Sequence, residues 1–252
     1  MYRPRVIPVL LLKGNGIVKS TKFKNHRYIG DPLNAVKIFN DLKADELVFL
    51  DTVASKENRH ISLDLVSKVG EEANMPFAVG GGISTIQHIR DIISAGAEKV
   101  IINTNALNFR FIKQAADTFG SSTISICMDV KKKCFGKIQT WIVGGKIPTG
   151  YDPVFFARLM QESGAGELIV QSIEYDGLMK GYDLSLIKSV SDAVKIPVVA
   201  LGGAGDINHM KQVYRETSVS GIGAGSMFVY VGARKGILIN YLQKDELKSF
   251  SE

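Results

Sequence analysis

The chain has 252 residues, 45% of them hydrophobic and 22% charged. Those proportions describe one ordinary folded core and exclude a disordered chain, and no apolar run reaches the roughly 18 residues of a membrane span. The formal charge of +6 suits anionic ligands or simple compositional bias; without a basic run or aromatic–basic alternation, nucleic acid is not expected.

Strands and helices alternate along the chain. A strand is predicted over Arg5–Leu12, followed by a helix over Pro32–Leu42. A second strand, Glu46–Asp51, leads to a helix over Ser62–Ala73. Phe77–Gly80 and Lys99–Asn103 are the next strands, with helices at Thr85–Ala95 and Phe109–Phe119. The later half reads the same way. Strands fall at Thr123–Val130, Glu167–Ser172, Val198–Leu201 and Gly221–Ala224, and helices at Pro153–Ser163, Leu184–Ala193 and Ile207–Tyr214. The strands are short, rich in β-branched residues and nearly continuous in apolar character, as strands buried on both faces should be. Asp31-Pro32 and Asp152-Pro153 have the form of helix N-caps with proline at the first helical position.

The two halves repeat one another. Asp31-Pro32 recurs 121 residues later as Asp152-Pro153, Glu46-Leu47 as Glu167-Leu168, Pro76 as Pro197 and Gly81-Gly82 as Gly202-Gly203. Asn103-Thr104-Asn105 stands opposite Ala224-Gly225-Ser226 at the same offset. Four strand–helix units per half sum to eight, which predicts a (β/α)8 TIM barrel. It is read as one domain, 1–252, with half-barrels of about 1–121 and 122–252. Chemistry in such a barrel sits where strands end and loops begin. No Pro/Ser-rich linker divides the chain. Cys127 and Cys134 make neither a disulfide framework nor a metal spacing, and Met1-Tyr2-Arg3-Pro4-Arg5 leads straight into a strand, so a cytoplasmic protein without metal or cofactor is expected.

Gly80-Gly81-Gly82 ends the third strand and Gly202-Gly203 the seventh. Glycine there lets backbone N–H groups approach an anion. Asn103-Thr104 after the fourth strand and Gly225-Ser226 after the eighth complete two cradles on opposite sides of the mouth. Two cradles imply a small ligand with a phosphate at each end. Asp129, closing the fifth strand, is the candidate general acid/base. Asp51 on the second strand and Asp176-Gly177 after the sixth lie at similar heights, with loop capping as the alternative role. The first strands of the halves align so that Lys13 pairs with Lys131 and Leu11 with Asp129; where two carboxylates could face each other, one is leucine. At the opposite end, Arg5, Glu46, Lys99 and Glu167 begin four strands, and the alternating charges suggest a salt-bridged plug or simply a solvated rim.

These motifs resemble the cyclase subunit of imidazole glycerol phosphate synthase, the HisF family, over nearly the whole chain. Carrying the likeness are Gly30-Asp31-Pro32, Asp45 through Asp51, Val79-Gly80-Gly81-Gly82-Ile83, Asn103-Thr104, Asp176-Gly177, Lys180-Gly181-Tyr182-Asp183 and Gly202-Gly203-Ala204-Gly205. The resemblance implies a heterodimer with a glutaminase, whose ammonia crosses the barrel to a bis-phosphate substrate. It implies that Arg5, Glu46, Lys99 and Glu167 form the ammonia gate, and that Lys19 lies in a mobile loop after the first strand that closes over substrate. The family uses two aspartates; one falls on Asp129 and the other on Leu11. Val9-Leu10-Leu11-Leu12-Lys13, Val18-Lys19 and Phe23-Lys24-Asn25 look like a paralogous branch linked to acetamidino modification of surface sugars (O-antigen), in which ammonia passes to a separate sugar amidotransferase. Gln171 and Leu201 add neutral or apolar character to the mouth. The rival expectations are a working cyclase of histidine biosynthesis and a non-catalytic scaffold that activates a glutaminase.

Overall fold

The computed structural model describes residues 3–133 and 136–250. Met1, Tyr2 and Cys134 lie outside them. Eight parallel strands close on themselves: β1 (Arg5–Lys13), β4 (Leu47–Asp51), β5 (Phe77–Gly80), β6 (Lys99–Ile102), β7 (Ile124–Lys132), β10 (Glu167–Ser172), β11 (Val198–Leu201) and β12 (Gly221–Ala224). Each pairs with the next in parallel, and β12 returns to pair with β1 through Arg5–Pro8. This is the (β/α)8 barrel that the repeat anticipates. Seven helices follow the first seven barrel strands: α1 (Pro32–Asp41), α2 (Leu63–Glu72), α3 (Ile86–Ser94), α4 (Phe109–Phe119), α5 (Pro153–Glu162), α6 (Leu184–Ser191) and α7 (Ile207–Glu216). The short α8 (Lys244–Lys248), which the periodicity did not reveal, completes the outer layer. Among the described residues no helix is long and apolar enough to cross a membrane.

Both proline caps behave as expected. Asp31 accepts from the Asn34 amide, and Asp152 accepts from those of Val154 and Phe155. Side chains alternate across each strand and so divide into two cores. Val6, Leu10 and Leu12 of β1 and Ile124, Ile126, Met128 and Val130 of β7 pack outward against the helices. Ile7, Val9, Val48, Ala78, Ile101, Cys127, Ile169, Val199 and Leu201 fill the lumen. On β12 the inward places are Gly221 and Gly223, because Ile7, Val9, Val199 and Leu201 already occupy the space a Cβ would need.

Two excursions on the mouth side lie between the predicted elements. β2 (Gly16–Thr21) and β3 (Lys24–Gly30) form an antiparallel hairpin that extends β1. Its two-residue turn, Lys22-Phe23, has positive φ at both positions (52° and 60°), as a type I′ turn requires. Antiparallel β8 (Ile138–Ile142) and β9 (Ile147–Pro148) follow β7. A third hairpin, β13 (Tyr230–Val231) with β14 (Gly236–Ile237), follows β12.

Tyr241 locks the segment leading into α8 to the barrel floor. Its buried hydroxyl accepts from the Asp45 amide at 3.2 Å and donates to the Val6 carbonyl at 2.8 Å, while the ring packs on Phe39 and Phe228. Tyr241→Phe keeps the packing and orphans both backbone groups. It should lower the unfolding free energy by about 1–3 kcal/mol in denaturant titration; a change within a few tenths of a kcal/mol would show that the hydroxyl is not the anchor.

Candidate functional site

The strand ends open into one cavity of about 420 Å³, to which all eight barrel strands contribute. Every mouth residue singled out from the sequence lines it. Gly81, Gly82, Asn103 and Thr104 line it on one side, and Gly202, Gly203, Gly225 and Ser226 on the other. Lys19, Asp51, Asp129, Asp176 and Gly177 are there as well, and so is Leu11.

The glycine pairs are required by the backbone. Gly81, Gly82, Gly202 and Gly203 have φ of 141°, 63°, 94° and 114°. A Cβ on Gly82 would run into the Arg59 carbonyl, and one on Gly203 into the Gly181 carbonyl. Among the described residues neither the Gly82 nor the Gly203 amide has a protein acceptor. Unpaired donors beside a cavity are what an anion site needs. The cradles differ in their second edge. Thr104 Oγ1 accepts from the Val143 amide at 3.3 Å. In the other cradle the Lys19 ammonium lies against Gly225 and donates to the Val9 carbonyl.

Lys19 is on strand β2, not in a loop. The hairpin carries its side chain into the mouth, where it is buried. Burial pushes its ammonium down to about 8, opposed by the charge of Asp176. Asp176 ties the hairpin to the loop after β10. It accepts from Ser20 Oγ at 3.1 Å, the Phe23 amide at 3.3 Å and Gln171 Nε2 at 3.4 Å. Burial raises its carboxyl, and those donors and the Lys19 charge pull it back. It is thus both a loop clamp and a mouth residue. Asp51 is committed more fully. Oδ1 accepts from the amides of Val53 and Ala54, and Oδ2 pairs with Arg59 at 2.6 Å. Its carboxylate shapes the loop behind the first cradle and is poorly placed to exchange protons.

Asp129 is different. It is 6% exposed, and its nearest polar side-chain partner is the Cys127 thiol at 3.8 Å. Burial, then the negative charge of Asp176, push its carboxyl up to about 7, against a small opposing effect of the thiol. A carboxyl poised there exchanges protons readily near neutral pH. Leu11 lines the same cavity from β1, so the aliphatic residue and the acid share one mouth.

At the opposite end the four charges close into a ring. Arg5 bridges Glu46 and Glu167 through its two terminal nitrogens, and Lys99 reaches Glu46 at 3.1 Å and Glu167 at 3.4 Å. The two glutamates are buried, so this is a plug and not a solvated rim. Burial pushes the Glu167 carboxyl up, but Arg5, Lys99 and a 2.8 Å hydrogen bond from Ser125 together hold it below the usual range. The sequence reading missed Ser125; a serine at an inward position of an otherwise apolar strand was the available signal. Directly above the ring begins the apolar lumen.

Comparison with known proteins agrees with this geometry. The family model "Histidine biosynthesis protein" matches residues 5–234. "Putative imidazole glycerol phosphate synthase subunit HisF" of Leptospira borgpetersenii is 42% identical over 243 residues, 96% of each chain. "Putative imidazole glycerol phosphate synthase subunit hisF2" of Pseudomonas aeruginosa is 41% identical, covering 98% of this chain and 99% of its own. The corresponding hisF3 protein of Vibrio vulnificus is 40% identical over 100% of this chain and 98% of its own.

The elevated Asp129 carboxyl has a consequence for stability. Its folded value, about 7, lies above the ordinary 3.8, so the folded state holds an extra proton between those limits. The associated stability is fully present below about pH 4 and lost as pH rises through 7. Relative to Asp129→Asn, the unfolding free energy of the unaltered chain should fall by about 1.4 kcal/mol per pH unit across that interval, then level off. Denaturant titrations from pH 4.5 to 8.5 check this, and a flat difference would show an ordinary carboxyl.

Proposed function

The chain belongs to the histidine biosynthesis protein family as a HisF-type subunit, and on that premise we propose that it is the ammonia-accepting barrel of a glutamine-dependent synthase. In this reading a glutaminase docks on the strand-start face, forming a heterodimer. The observation that carries it is the buried ring of Arg5, Glu46, Lys99 and Glu167 closing the floor of an apolar lumen. Ammonia released into water is protonated and diluted. An ammonium ion entering the apolar lumen would lose its hydration without a partner there, whereas neutral ammonia passes at far lower cost. The ring supplies polar contacts at the entrance, and the lumen delivers the uncharged molecule to the mouth.

At the mouth the cradles bind a ligand phosphorylated at both ends, with Gly82 and Gly203 donating backbone hydrogen bonds. Asp129 takes or gives a proton beside it. Ring closure of the histidine-pathway type needs proton transfer on two sides of the substrate, and Leu11 can perform neither transfer. On the resemblance to the paralogous branch, the ammonia is assigned to acetamidino modification of a surface sugar, through a separate amidotransferase. Retention of both cradles and of an acid poised near neutrality favours the second reading, a functional cyclase of histidine biosynthesis. A scaffold that only activates its glutaminase is the third.

The experiment uses the chain with its glutaminase. Glutamine hydrolysis should be stimulated by complex formation, while the bis-phosphate ribulosyl intermediate turns over well below the ordinary enzymatic range of about 1–10³ s⁻¹. Leu11→Asp should raise that turnover. Lys99→Ala should leave the complex intact and increase the share of ammonia escaping to solution. Ordinary cyclase rates in the unaltered chain would establish the second reading. Stimulation without any transfer of ammonia would establish the scaffold. Absence of both complex and stimulation would remove the conduit role.

A further inference from the structure

Three segments meet over the mouth. The turn of the β2–β3 hairpin brings Phe23, the turn between β8 and β9 brings Gly144 and Gly145, and the short helical turn Ala54–Lys56 brings Lys56. A Cβ on Gly144 would stand 3.3 Å from Lys56 Nζ, and one on Gly145 would stand 3.3 Å from the Phe23 ring. These segments leave the barrel after β1, β4 and β7, on the arcs between the two cradles. They carry Lys13, His26, Lys56 and Lys146. Among the described residues the side chains of these four have no hydrogen bond and no ion pair. His26 and Lys56 line the cavity itself.

We propose that this roof is a third anion site, distinct from the two cradles, and that the ligand carries a further anionic group, phosphate or carboxylate, between its phosphorylated ends. The ligand's identity as doubly phosphorylated rests on the cradle reading above. The crowded ammonium groups of the three lysines repel one another without partners, and a bound anion removes that repulsion, with His26 able to donate to it through a ring N–H. Lys56 and His26 feel the charges of their neighbours. Burial lowers Lys56, and the charges of Lys146 and Lys13 lower it further. Burial lowers His26, and Lys13 and Lys56 add to it, with Asp176 the one opposing carboxylate. The neighbouring ion pairs do not quench the cluster: Arg59 is held by Asp51 and Glu57, and the Lys131 ammonium lies over the Trp141 ring at 3.9 Å while donating to the Gly145 carbonyl. Backbone amides form the cradles, whereas flexible side chains form the roof, which suits a group whose position varies between ligands.

The test counts anions. Crystals of the full chain in inorganic phosphate should show three: one at Gly82, one at Gly203, and one within hydrogen-bond distance of Lys56 Nζ. Lys56→Gln combined with His26→Asn should remove only the third. It should also weaken inorganic pyrophosphate in solution by about tenfold, the loss of roughly one charge-assisted contact. Neither side chain has a partner to lose, so the melting temperature should hold; Lys68→Gln, on the far side of α2, should change nothing. Two cradle phosphates with an empty roof would overturn the third site and leave the cradles standing. A single phosphate shared by the Gly82 amide and Lys56 would also overturn it, reducing the cluster to an edge of the first cradle. A roof phosphate with both cradles empty would overturn the cradle reading instead, and a chain with no phosphate at all would overturn both.

Discussion

Closure of the sheet fixes the direction of every barrel side chain, and the remaining features follow from that. Along each strand successive residues face the lumen and the helices in turn. Arg5, Ile7, Val9 and Leu11 therefore share one radial direction on β1, as do Ser125, Cys127 and Asp129 on β7. The same alternation gives Glu46, Val48 and Leu50, then Lys99, Ile101 and Asn103, then Glu167, Ile169 and Gln171. In each series a polar residue stands at the floor and an apolar one above it. A slip of one residue would send the charged ring into the helix layer and the outer core into the lumen. Floor, lumen and mouth are one pattern read along five strands.

The internal repeat supplies that pattern twice, and the halves have diverged where chemistry is concerned. The cradles remain close copies. Each glycine pair is pressed against a carbonyl from the preceding loop, Arg59 in one half and Gly181 in the other. His88 and His209, also 121 residues apart in the sequence, accept from the Ser84 and Gly205 amides at 3.4 and 3.3 Å and steady the two loops alike. Divergence lies between the cradles. The first half contributes Leu11 and the Lys19 hairpin, and the second contributes Asp129 and the β8–β9 turn. In the proposed reading the ligand's two ends therefore meet like surroundings, while the space between the glycine pairs has an acid on one side and an aliphatic wall with lysines on the other.

The elements that were legible in the sequence are those fixed by local pattern. Barrel strands show as short apolar runs, helix starts as Asp-Pro, and cradles as glycine pairs at a constant offset. The ring was legible as four charges at strand starts, although its burial was not, because burial depends on closure. The β2–β3 hairpin was hidden for a physical reason. Its type I′ turn is made by Lys22-Phe23, without the asparagine or glycine that usually marks positive φ. Its outer strand, β3, is largely exposed and carries no alternation. The placement of Lys19 and the clustering of His26 and Lys56 depend on that hairpin, so they could not be read from spacing. The short α8 escaped notice because it has no buried residue of its own.

The ring is an odd choice if stability were the only demand. Burying four charges forfeits much of their hydration, and well-packed apolar residues of similar volume often serve stability as well or better. The lumen immediately above is apolar, so an apolar plug would continue the existing core. It would also seal the barrel against a small polar molecule. A salt-bridged plug differs because its members are long side chains anchored at strand starts, two of them cations with substantial exposure on the outer face. Their contacts can be exchanged for contacts with a docked surface without disturbing a strand. Ser125 also donates to Glu167 from inside the barrel, while Arg5 and Lys99, both more exposed than the glutamates, reach the carboxylates from the outer face. An opening hinged on Arg5 or Lys99 would leave the buried glutamates hydrogen-bonded or singly paired, which is the less costly way to part four buried charges.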